Sequence, residues 1–116
     1  MPTSAPDQTL AVIDTEHLDR VTFRDPAFRD DILTLFIREA KAIEQRLTSA
    51  RTDEDWRVAA HTLKGMSRGI GAARLAAMSE QVERLTSTSA RTDALGPLSH
   101  HIAEAIEASG RIVSGR

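Results

Sequence analysis

The sequence predicts an all-α protein: an antiparallel four-helix bundle with a short additional helix at its N-terminal end. Apolar residues recur at spacings of three and four through successive long segments, while alternation at a period of two is confined to short stretches. The segments are punctuated by Pro, Gly, Ser, Thr and Asp at positions that start or stop helices. The connections are short and no internal repeat is visible, so neighbouring helices fold back on one another with their apolar faces inward.

In chain order, Pro2, Ser4 and Pro6 mark residues 1–13 as a disordered leader, and the folded domain is assigned to 14–116. Asp14 or Thr15 caps a short helix containing His17, Leu18 and Val21. Pro26 suits the first turn of a long amphipathic helix that runs to about residue 50. Its apolar positions, Phe28, Ile32, Leu35, Phe36, Ala40, Ile43 and Leu47, are expected in the core. Thr52 or Asp53 caps the next helix, where Asp53, Glu54 and Asp55 oppose the positive end of the dipole and Trp56, Ala60, Leu63 and Ile70 form the inner stripe. Gly69 and Gly71 mark its end. Leu75, Met78, Val82 and Leu85 supply the stripe of the following helix, and the Ser- and Thr-rich residues 86–92 read as a connection. Leu95, Leu98, Ile102, Ile106 and Val113 define the last helix, with Gly96 and Pro97 in its first turn or its start at about Pro97.

A length of 116 residues with 41% apolar content suits one domain with one core, too small for a catalytic domain plus a regulatory one. The formal charge of −2 and only three Phe and one Trp argue against nucleic acid as a partner. Without cysteine there is neither a disulfide framework nor a thiolate metal site. His100 and His101 are adjacent and diverge on a helix, and His17 has no evident ligand partner, so no metal site is expected. The first residues do not resemble a secretory signal, and no segment approaches the roughly 18 apolar residues of a membrane span. The expectation is a cytoplasmic protein with no membrane partner.

The stretch AAHTLKGMSRGIGA, residues 59–72, is the most informative. A helix advances about 100° per residue, so His61, Lys64 and Gly65 share one side while Ala60, Leu63 and Ile70 fall largely on the other. His61 should face solvent. Gly65 costs about 1 kcal/mol relative to alanine inside a helix, which leaves two uses for it: room for a close-approaching partner, or close packing of a neighbouring helix. Arg57, Lys64, Arg68 and Arg74 surround His61 with positive charge, suited to an acidic partner. GMSRGIG has the spacing of neither GxGxxG nor a Walker loop, so no nucleotide site is present there.

The segment AHTLKGMSRGIGAARL resembles the histidine phosphotransfer domains of multistep two-component relays, whose motif has the form HxLKGxSxxxGA. His61, Leu63, Lys64, Gly65, Ser67, Gly71 and Ala72 match it position by position. The upstream ILTLFIREA, the acidic start before Trp56 and the downstream LAAMSEQVERL extend the likeness over about residues 14–113. The resemblance implies that His61 is the phosphoacceptor, that Lys64 neutralises the phosphoryl group and that Gly65 leaves space for a receiver active site. Ser67 either adds a polar contact to the partner or bonds its own backbone. Met66 is bulkier than the residue often found there, and Gly69 replaces a polar one, departures that bear on partner preference.

Phosphoryl transfer rests on in-line positioning and charge neutralisation, commonly with magnesium. The resemblance implies a phosphocarrier with no cofactor and no kinase activity of its own, magnesium being held by the partner receiver. Solvent-facing Nε2 would carry the phosphate, with Nδ1 satisfied locally or by water. The implied partners are response-regulator receiver domains and a hybrid sensor histidine kinase. A helical adaptor that binds receivers or a kinase without being phosphorylated is the alternative, and a dimerising kinase-like histidine bundle is a third. An intact His61 and Lys64 favour transfer, and the short length favours a monomer.

Overall fold

Five helices follow one another, with no strand, among residues 9–115, the part of the chain that the computed structural model describes. They are α1 (Thr15–Val21), α2 (Pro26–Thr48), α3 (Asp53–Ile70), α4 (Ala73–Glu83) and α5 (Thr88–Val113). Helix α2 packs on α3 and α5, and α4 packs on the same two, which closes a ring of four; α1 rests against α3. No helix among the described residues is long and apolar enough to cross a membrane.

Local chemistry sets the ends. Asp14 caps α1 by accepting the His17 N–H at 3.2 Å. Asp25 accepts from Ala27 and Phe28 at 3.0 and 3.3 Å at the start of α2, where Pro26 has no N–H to lose. Thr52 accepts from Asp55 at 3.0 Å at the start of α3. That helix closes on Gly71, in the left-handed region at φ +82°, and a Cβ there would stand 2.8 Å from the Asp14 carbonyl oxygen. The Asp14 N–H in turn donates to the Gly71 carbonyl at 2.7 Å, joining the entry of α1 to the α3–α4 corner. Gly69, by contrast, lies inside α3.

The core is built from Leu33, Phe36, Ala40, Ile43 and Leu47 of α2, Trp56, Ala59, Ala60, Leu63 and Ile70 of α3, Leu75, Met78 and Val82 of α4, and Leu98, Ile102 and Ala105 of α5. Each large side chain so buried contributes about 1.5–3 kcal/mol. Phe28 and Leu35 do not join them: they are 40% and 47% exposed, and Leu33 is buried instead. The stripe 33, 36, 40, 43, 47 leaves Leu35 beside it, where Leu35 lines an open apolar groove with Val21, Ile32 and Met66.

Of residues 86–92, expected to form a connection, only Thr86 and Ser87 do so; residues 88–92 are helical. Ser87 caps α5 by accepting from Ala90 at 3.1 Å, and the helix begins at Thr88. Arg91 anchors this first stretch, donating to the Leu85 carbonyl at 2.9 Å, pairing with Asp53 at 2.8 Å and stacking its guanidinium over the Trp56 ring. These contacts outweigh the weak helix preference of Ser and Thr, so Pro97 lies inside the helix and only 84–87 connect α4 to α5. Leu85 belongs to that connection. Of the expected leader, residues 1–8 lie outside the described residues, while Arg74 binds the carbonyls of Leu10 and Ala11 and holds that part against α4.

Gly71→Ala is expected to lower stability by about 1–3 kcal/mol in urea unfolding, from the left-handed backbone and the contact with Asp14. Gly69→Ala, where an added methyl meets open space in a helix, is expected to be neutral or stabilising in the same measurement.

Candidate functional site

Burial of Trp56, Ala59, Ala60, Leu63, Ser67 and Ile70 turns the opposite side of α3 outward. His61 stands on that side, its side chain 67% exposed. It has two different flanks. Toward α4, Arg57 and Lys64 line a charged basin with Glu80, Glu83 and Arg84. Toward α2, Met66 and Gly69 border the apolar groove of Leu35, Ile32 and Val21.

Glu83, the last residue of α4, reaches both members of the expected pair. One carboxylate oxygen lies 3.0 Å from His61 Nδ1 and the other 2.8 Å from Lys64 Nζ. A carboxylate accepts, so Nδ1 carries a hydrogen and donates it, and in the neutral ring the lone pair is then on Nε2. No hydrogen bond within the described residues engages Nε2. The Lys64 hydrogen bond holds the Glu83 carboxyl below its ordinary value of 4.5, and the bond from His61 acts in the same direction against partial burial, which raises it. Lys64 is only 15% exposed, so it is a clamped cation.

Glu83 is the site residue that sequence reasoning missed. Its signal is the symmetry of a helical hairpin: His61 and Glu83 are equally far in sequence from Ala72, at the α3–α4 corner, and antiparallel packing brings them level.

The other expected residues divide. Arg68 pairs with Glu80 at 3.2 Å, and Arg84 pairs with the same carboxylate at 3.1 Å. Arg57 is exposed, and no ion pair within the described residues engages it. Arg74 does not belong to the surroundings of His61, because it is committed to Glu104 at 3.1 Å and to the Leu10 carbonyl. Ser67 is fully buried, with its hydroxyl donating to the Leu63 carbonyl at 2.7 Å, and is unavailable to a partner. At Gly65 an added Cβ meets nothing within 4 Å, so this glycine serves no helix packing among the described residues. Among the described residues, no group of three or more His, Asp or Glu is arranged to hold a metal ion.

A family model described as Hpt domain matches residues 31–111, from within α2 to near the end of α5. Comparisons with curated proteins and with solved structures returned no match.

Gly65→Ala is expected to raise the stability of the isolated protein by about 0.5–1 kcal/mol in denaturant unfolding, since it adds helix propensity and meets no neighbour. For Glu83, a lowered folded-state value means stabilisation that is complete above 4.5 and lost as pH falls through that lowered value. Glu83→Gln should therefore melt below wild type near neutrality, and the gap should close in acid; a gap that persists unchanged well below 4.5 would count against the clamp.

Proposed function

As a member of the Hpt family, to which the match over residues 31–111 assigns it, the chain is a phosphotransfer domain, and we propose that His61 is the residue that carries the phosphoryl group. The observation that supports this most directly is an exposed imidazole on a rigid helix whose Nδ1 is bonded to a carboxylate while Nε2 is open.

The chemistry follows from that tautomer. The Nε2 lone pair attacks the phosphorus of a receiver aspartyl phosphate in line with its acyl oxygen; the P–O bond breaks, the aspartate leaves as a carboxylate, and the phosphoryl group remains on Nε2. Positive charge grows on the ring as the P–N bond forms, and the Glu83 carboxylate at Nδ1 stabilises it. The reverse step on a second receiver returns the group to an aspartate. Magnesium is the receiver's, and the domain needs no cofactor or catalytic activity of its own.

A receiver active site is acidic, which suits the flank carrying Arg57, Arg68 and Arg84. The apolar groove on the other flank offers the same partner surface to bury, and Gly65 between them leaves space for close approach. The partners in this reading are receiver domains of a response regulator and of a hybrid sensor histidine kinase, met in the cytoplasm by a monomer.

Incubation with a phosphorylated receiver should place acid-labile, base-stable phosphate on wild type and none on His61→Gln. If receivers bind wild type and none labels it, the protein is instead a non-phosphorylated adaptor.

A further inference from the structure

On the premise that His61 carries the phosphoryl group, the cations around it are not equally free to meet that group. Lys64 is drawn to Glu83 at 2.8 Å and largely covered. Arg68 and Arg84 share Glu80. Arg57 alone among these four has no ion-pair partner within the described residues.

Arg57 is also well placed. It lies four residues before His61, one turn away on the same face of α3, and it lines the basin that holds Lys64 and Glu83. Side chains on a helix lean toward its N-terminus, so the His61 ring leans over the turn that carries Arg57. A guanidinium offers a planar fork of N–H donors that matches two phosphoryl oxygens, whereas an ammonium meets them as a point charge.

We propose that Arg57 is the group that binds the phosphoryl oxygens of phosphorylated His61, and that Lys64 chiefly holds Glu83 in place. The guanidinium contacts the group after transfer and takes no part in bond exchange: the P–N bond forms and the P–O bond breaks as described, and Arg57 remains protonated throughout. A cation that bonds the phosphorylated product stabilises it relative to the free carrier. Its removal therefore shifts the transfer equilibrium, whereas a residue that only steers docking changes forward and reverse rates equally.

The test is the equilibrium ratio of phosphorylated carrier to phosphorylated receiver, approached from both directions, for wild type, Arg57→Ala, Arg57→Gln, Arg57→Lys and Lys64→Ala. Arg57 is exposed and alanine suits a helix, so the fold should be retained, which circular dichroism checks. Arg57→Ala and Arg57→Gln are expected to move the ratio toward the receiver by about tenfold, with partial recovery in Arg57→Lys and a smaller shift in Lys64→Ala. An unchanged ratio with slower approach from both sides would make Arg57 a docking residue and overturn the proposal, as would a shift confined to Lys64→Ala. A wild type that takes no acid-labile label removes the phosphocarrier premise itself, a result distinct from a labelled wild type whose equilibrium ignores Arg57.

Discussion

His61 points outward because the residues that share its helix but not its face cannot leave the core. Trp56, Ala60, Leu63, Ser67 and Ile70 are at most 4% exposed, and Trp56 is further held by a 2.7 Å hydrogen bond from its indole nitrogen to the Val82 carbonyl. Turning α3 far enough to hide the imidazole would expose Trp56 and Leu63, at about 1.5–3 kcal/mol for each large side chain, and would bring Arg57 or Lys64 toward apolar surroundings. The Trp56 bond ties α3 to α4 near the end of α4, the same end that carries Glu83. Packing thus settles both the direction of the ring and the level at which the carboxylate meets it.

The contact among Glu83, His61 and Lys64 is better understood as a geometric device than as a source of stability. Partly buried ion pairs recover little net free energy after desolvation, yet removing one partner leaves a charge without compensation. Here a single carboxylate uses one oxygen to select the ring tautomer and the other to restrain the lysine. The positive surround expected around His61 is correspondingly quieter, since Glu80 and Glu83 lie within it and Arg74 is engaged elsewhere.

The parts legible in the sequence are those governed by local rules. The helical period located α2, α3 and α4, the solvent-facing side of α3 followed from its own spacing, and the caps were narrowed to Asp14 or Thr15, Thr52 or Asp53, and Gly69 or Gly71, of which the fold uses Asp14, Thr52 and Gly71. What escaped depends on distant partners. Residues 88–92 look like part of a loop until Arg91 is seen to hold Trp56, Asp53 and the Leu85 carbonyl together. Leu35 looks like core until Leu33 is seen to occupy the inward position. Ser67, matched to a site motif, proved to be bonded to its own helix, and Glu83 became visible only once α4 was laid beside α3.

The placement of His61 between one charged and one apolar flank has a consequence for traffic through the domain. In the relay reading, donor and acceptor cover the same doorway, because there is one ring and one side from which to reach it. They must take turns. Throughput then depends on vacancy as much as on affinity, and a donor that lingers after handing over its cargo delays the acceptor as effectively as a competitor would.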